Sequence, residues 1–236
     1  MKNLFCYFLL FFLLITANQY SQEKRNFKIH TIAFYNLENL FDTINDVNKN
    51  DEASPIMEMK FNRSNVYNKK VSNMAKVISQ IGYEYTKKTP SIVGICEVEN
   101  LKVIQDLISQ RELKNENYGI VHYDSPDNRG IDVGLIYKKN IFEVKSSSSH
   151  EVIISDNNSS NRRPTRDQLV VSGLIDGELI HLIVNHWPSR GADETKRIAA
   201  AKVNNKIIDS LRSIYKNPKI ITMGDFNDDP FDKSIK

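Results

Sequence analysis

The sequence predicts an α/β or α+β sandwich in which mixed β-sheets are flanked by helices, and three observations carry that expectation. Six short runs rich in Ile and Val have the length and composition of strands. Stretches with helical apolar spacing lie between several of them, so those strands are joined by crossovers. One pair of runs is instead joined by a tight Asp-Gly turn, the signature of an antiparallel hairpin. That hairpin argues against a doubly wound parallel sheet.

In chain order, IHTIAFY (29–35) is the first strand run. Val71, Met74, Ala75 and Ile78 then recur at helical spacing. SIVGIC (91–96) is the second run, and Leu101, Ile104, Leu107 and Ile108 form a second helical stripe behind Asn100, a residue suited to an N-cap. DVGLIY (132–137) is the third run. QLVVSG (168–173) and LIHLIV (179–184) flank Asp176-Gly177. A longer helix follows Gly191, with Ala200, Val203, Ile207, Leu211 and Ile214 on one face and Asn217-Pro218 closing it. KIITM (219–223) is the last run. Two polar segments, about 42–66 and 145–163, read as long surface loops of the kind that often flank a binding site. There is no internal repeat.

The first 22 residues differ in kind. Lys2 precedes LFCYFLLFFLLITA, an apolar run of leader length ending in the small residue Ala17. The run is short for a bilayer crossing, so we expect a cleaved signal and a periplasmic or extracellular protein, with an uncleaved anchor as the competing reading. Cleavage is expected between Ala17 and Glu23. Residues 23–236 then form one domain, with no stable membrane span and no obligate protein partner implied. Cys96 is the one cysteine left, so the core is held without an internal disulfide. Its run reads as a buried strand, which makes it a packing residue. With 32 Lys+Arg against 29 Asp+Glu, the formal charge is +3, too mild to announce a nucleic-acid partner by itself.

Polar groups gather where the apolar runs end. Asn36 and Glu38 follow the first, Glu97 and Glu99 the second, Asn185, His186 and Arg190 the fifth, and Asp225, Asn227 and Asp229 the last. Each alone fits a turn or a helix cap. Together, carboxylates, amides and an imidazole at strand ends match the ligands of a hard cation carrying a phosphate ester. Among the other histidines, His30 and His181 lie in strand runs as packing or rim residues, and His122 and His150 read as surface or loop positions. Trp187 reads as a packing anchor.

The segments FYNLENLFD, GICEVEN, RGIDVGLIY, VNHWPS and GDFNDDP, in this order, resemble the endonuclease/exonuclease/phosphatase superfamily, which includes deoxyribonucleases, abasic-site endonucleases, sphingomyelinases and inositol-phosphate phosphatases. The resemblance covers about residues 30–230. It implies a four-layer sandwich of two packed mixed sheets between helices, and hydrolysis of phosphate esters with Mg2+, Mn2+ and Ca2+ being alternatives. It implies metal ligation by Asn36 and Glu97, with Glu38 a looser match. Asp225 would orient or deprotonate water, Asn227 would hold the scissile phosphate, and His186 would stand beside the leaving oxygen. Arg166 matches a phosphate-contacting arginine, and Asn185 is placed with the substrate. The implied partner is nucleic acid or another phosphodiester substrate. A phospholipid or inositol-phosphate substrate, or a non-catalytic remnant, are the alternatives. Arg129, Arg162, Arg163 and Arg166, placed in loops, lean toward phosphate-rich polymers.

One departure is clear. The family closes with a further strand and a Ser-Asp-His segment, and the sequence reaches FDKSIK without them. The expectation is a domain lacking its last strands, a piece of a longer protein, poorly soluble and without turnover by itself.

Overall fold

The computed structural model describes residues 27–155 and 162–236. The expected leader, with Cys6 and Ala17, lies outside the described residues. No helix among the described residues is long and apolar enough to cross a membrane.

The first half of the chain supplies β1 (Ile32–Leu40), β2 (Ile92–Val98), β3 (Tyr118–His122) and β4 (Asp132–Lys138), which form a sheet of order β1-β2-β4-β3. Helices α1 (Arg63–Gln80) and α2 (Leu101–Ile108) cover its outer side. The second half begins with β5 (Phe142–His150) and a small ribbon of β6 (Ile153–Ser155) with β7 (Arg162–Pro164). The hairpin β8 (Gln168–Ile175) and β9 (Glu178–His186), helix α3 (Glu194–Ile214) and β10 (Lys219–Asp225) complete it. The second sheet has the order β10-β9-β8-β5.

The four layers follow from alternation along the strands. Ile92 and Cys96 of β2 face the second sheet and meet Leu182 and Val184 of β9 and Met223 of β10. Val93 and Ile95, pointing the other way, pack on Val71, Ala75 and Ile78 of α1 and on Ile104 and Leu107 of α2. Beyond the second sheet, Val170 and Ile183 meet Ile207 and Leu211 of α3. Gly94 sets the sheet spacing at one point, since a Cβ there would lie 2.7 Å from the Met223 sulfur.

Each sheet carries one parallel pair, β1 with β2 and β10 with β9, and is otherwise antiparallel. Parallel neighbours end on the same side, so Asn36, Glu97, His186 and Asp225 arrive at one end of the sandwich. The local signals behave as their chemistry demands. Asn100 caps α2 by accepting from the Val103 N–H at 3.1 Å. Asp176 and Gly177 take the left-handed conformation that a two-residue hairpin needs.

The structure corrects the loop expectations. Residues 145–150 are not loop but part of β5, paired to β8 with Ser147 opposite Val171 and Ser148 opposite Val170. The strand is an edge, anchored inward by Phe142, so its serines need no apolar face of their own. The 42–66 segment contains single helical turns at Asp51–Ala53 and Pro55–Glu58, and α1 starts inside it at Arg63. Arg163 lies in β7 and Arg166 is buried, so neither belongs to an open loop.

Candidate active site

The strand ends at this site depart from regular pairing. Asn36 pairs with Cys96 and Leu40 with Val98, so β1 carries three residues where β2 carries only Glu97. Glu38, Asn39 and Glu97 all take positive φ, at 51°, 57° and 58°. Such backbone costs roughly 1–3 kcal/mol for each non-glycine residue and persists where the surroundings enforce it. Lys70 of α1 enforces it here, donating to the carbonyls of Glu38 and, at 3.0 Å, Asn39. The bulge turns backbone donors inward: Asn39 N–H reaches Glu97 Oε2 at 2.8 Å, and Glu38 N–H reaches Asn36 Oδ1 at 2.8 Å.

The second sheet is shaped just as tightly. Gly224 has φ 155°, and a Cβ there would lie 2.2 Å from the Asn185 carbonyl oxygen, so only glycine lets β10 end where it does. Two residues later Asn227 adopts φ 52°. Its N–H donates to Asp225 Oδ1 at 3.0 Å and its Nδ2 to the Trp187 carbonyl at 3.0 Å.

These constraints bring Asn36, Glu97, His186 and Asp225 together, with Asn227 bonded to Asp225. The Asn36 amide donates to both Glu97 Oε1 and Asp225 Oδ2, each at 3.0 Å. His186 Nε2 lies 3.6 Å from Glu97 Oε1. Glu97, His186 and Asp225 each present a ligand atom within 4.8 Å of the others. His186 is 7% exposed, and its Nδ1 has no hydrogen-bond partner among the described residues. Burial, and then the charges of Arg166 and Arg129, hold its pKa well below the usual imidazole range. The site thus joins two carboxylates through a neutral amide beside a neutral imidazole.

That donor set fits a divalent cation. Two carboxylates drawn to one amide repel each other, and a hard cation is the ligand that oxygen donors of this kind favour. Glu97 and Asn36 would hold it, with Asp225 adjacent.

Other expected residues fall differently. The Glu38 side chain is exposed and outside the Glu97–His186–Asp225 group. Asn185 is fully buried; it donates to Thr222 Oγ1 at 3.0 Å and accepts from Trp187 Nε1 at 3.1 Å. Its expected place on substrate is therefore corrected: it ties β9 to β10 behind the site. Arg166 is 7% exposed and donates to the Trp187 carbonyl at 2.6 Å, with Asp127 Oδ2 3.5 Å away. It acts on the site as a buried charge.

Trp187 is the anchor expected, buried edge-to-face on Phe226 at 4.8 Å. Cys96 is fully buried, and burial raises its thiol pKa far above the usual range, as suits packing. His122 is corrected: its side chain is 4% exposed and its Nε2 lies 3.0 Å from Asp132 Oδ2. Lys70, Asp127 and the Trp187 carbonyl escaped the sequence reading. Lys70 stands on the polar flank of a helical stripe, and a backbone carbonyl leaves no mark in a sequence.

Residues 31–236 match the Endonuclease/Exonuclease/phosphatase family. No curated protein matches the chain. Among solved structures, a functionally unknown conserved protein from Enterococcus faecalis V583 aligns with TM-score 0.55 and 15% identity, over 86% of this chain and 69% of its own. A mannosyl-6-phosphatase from Bacteroides thetaiotaomicron aligns with TM-score 0.55 and 18% identity, over 88% of this chain and 68% of its own. TDP2 from Caenorhabditis elegans aligns with TM-score 0.52 and 17% identity, over 73% of this chain and 46% of its own. At these identities the likeness is one of fold.

Proposed function

The chain belongs to the endonuclease/exonuclease/phosphatase family, whose members hydrolyse phosphate esters, and from that premise we propose that it is a metal-dependent phosphodiesterase acting first on nucleic acid. The observation that carries this reading is the single amide of Asn36 bridging Glu97 and Asp225, with buried His186 against Glu97.

Each residue has work that suits its chemistry. Glu97 and Asn36 would hold a divalent ion, Mg2+ before Mn2+ or Ca2+, which when bound would supply positive charge to the phosphoryl oxygens. Asp225, fixed by the Asn227 N–H, orients a water and accepts its proton as the new P–O bond forms. Asn227 brings an amide to the phosphate, and His186 brings an imidazole N–H to the leaving oxygen as the ester P–O bond breaks. Substrate choice is the finer part of the proposal. A sugar phosphate is the second reading, because one protein of the same fold is named a mannosyl-6-phosphatase.

The test assays the native-length protein on plasmid DNA, RNA, sphingomyelin, inositol phosphates and mannose 6-phosphate. Cleavage of DNA or RNA that stops in chelator and returns with Mg2+ or Mn2+ is expected. Full activity in chelator overturns the metal assignment, and turnover confined to mannose 6-phosphate overturns the nuclease reading. We also propose export through residues 1–22. N-terminal sequencing of the secreted protein should then start between positions 18 and 23, and retention of Met1 in the cytoplasm would refute it.

A further inference from the structure

Beside the Asn36–Glu97–Asp225 group opens a cleft of about 280 Å3, walled by Phe41, Ile131 and Pro55 and carrying Asp51, Ser54 and Arg129. Asn39, whose N–H holds Glu97 Oε2, lines it as well, so cleft and carboxylate site share a wall. The cleft is preformed. Asn50 N–H donates to the Asn128 carbonyl at 2.7 Å, and Lys49 Nζ donates to the carbonyls of Ser125 and Asp127 at 3.0 and 3.3 Å. These bonds clamp the segment after β1 onto the loop before β4. Ser54 is 7% exposed, yet its hydroxyl has no hydrogen-bond partner among the described residues. A buried polar group left unpaired in a folded protein calls for an explanation, and a ligand provides one.

The lining selects the ligand. The volume sits at the low end for small-molecule sites, so it takes one ring system and not a chain of them. Asp51 is 1% exposed; its Oδ2 accepts the Asp46 N–H at 2.9 Å. Its negative charge behind the cleft wall disfavours a second phosphate. The apolar walls leave most hydroxyls of a sugar without partners, which counts against a pyranose. Arg129 stands half-exposed at the edge, its Nε and Nη2 held 3.2 Å from Asp127 Oδ1 and Oδ2. A guanidinium fixed by its edge keeps a flat face free for stacking on a planar ring.

We propose that this cleft binds the base of a nucleotide whose phosphate lies at Asn36, Glu97 and Asp225, an assignment that rests on reading that group as a phosphate-ester site. The experiment measures binding of AMP, mannose 6-phosphate and inorganic phosphate to the full chain with Mg2+ present, by calorimetry. AMP is expected to bind at least about tenfold more tightly than inorganic phosphate, the order of one base stacked on a side chain. Ala53→Leu, at an exposed position on the rim, should erase that preference and leave phosphate binding unchanged. Ser54→Ala, a smaller change, should weaken AMP about fivefold. Mannose 6-phosphate binding as tightly as AMP, or an AMP preference that survives both substitutions in folded protein, overturns the base assignment while the phosphate site stands. Failure of all three ligands to bind overturns the phosphate site itself, and the base assignment with it.

Discussion

Two groups of one histidine and two carboxylates stand among the described residues, and each places its ligand atoms within 4.8 Å of one another. The group of His186, Glu97 and Asp225 is held from outside: backbone N–H groups of Asn39 and Asn227 and the Asn36 amide fix the carboxylates, while His186 keeps an unpartnered Nδ1. The group of His122, Asp124 and Asp132 is closed on itself. His122 Nε2 contacts Asp132 Oδ2 at 3.0 Å, and Asp132 Oδ1 accepts the Ser125 N–H and hydroxyl at 2.8 and 2.7 Å. Asp124 remains outside, its side chain 83% exposed and 3.9 Å from the ring. Similar residue types thus serve opposite ends. Where the groups satisfy one another they form a clasp between β3 and β4, and where the scaffold gathers them around an unpartnered imidazole nitrogen they can take a ligand.

The largest effect expected of this contrast is on turnover. Glu97→Gln or Asp225→Asn in the native-length protein should reduce the rate by at least about a hundredfold, typical for a positioned acid–base or ligand group. Both variants should stay folded and lose no more than about 1–3 kcal/mol, because each relieves the carboxylate repulsion but turns an amide NH2 toward a donor that the carboxylate had accepted. A rate near wild type in both, with the fold intact, would show that the cluster is not where the chemistry happens.

The mirror experiment comes next in size. Asp132→Ala strips partners from His122 and from both Ser125 donors, and buried groups left unpaired cost about 1–3 kcal/mol each. We expect a loss of about 3 kcal/mol in denaturant unfolding, with the rate per folded molecule and the metal requirement unchanged. Were Asp132→Ala instead to abolish turnover without loss of stability, the roles of the two groups would be exchanged.

The sequence showed one of these groups and hid the other, and the reason is physical. Asn36, Glu97, His186 and Asp225 each follow an apolar strand run, so their meeting could be anticipated once the strands were known to end on one side. His122 and Asp132 are ten positions apart and come together only through the β3–β4 pairing, which the sequence did not reveal because β3 was not recognised. The Ser-rich strand β5 was missed for a related cause: an edge strand draws its stability from a neighbour's ladder and needs little apolar pattern. Asn185 looked like a site residue because it precedes His186, but successive strand residues face opposite ways. His186 points at Glu97, and Asn185 points at Thr222 and α3. The positive φ angles at Glu38 and Glu97 are invisible in composition, since neither residue type favours them.

His181 offers the smallest test and separates burial from charge pairing. It is 1% exposed, its Nδ1 lies 2.7 Å from Ser172 Oγ, its ring rests 4.7 Å from that of Tyr215, and its Nε2 has no partner. No carboxylate among the described residues holds it, and burial lowers its pKa below the usual range. An unfolded histidine titrates near pH 6.5. Below that pH the unfolded chain binds a proton that the folded one refuses, so stability is full above about pH 7 and is lost as the pH falls through 6.5 toward the folded value. The loss cannot exceed about 1.4 kcal/mol per pH unit for one group. His181→Gln keeps a polar side chain beside Ser172 and removes the titration. The difference in melting temperature between pH 7.5 and 5.5 should therefore shrink in the variant relative to wild type. Equal differences would mean that the buried ring accepts its proton in place, and that burial without a partner does not keep a histidine neutral in this fold.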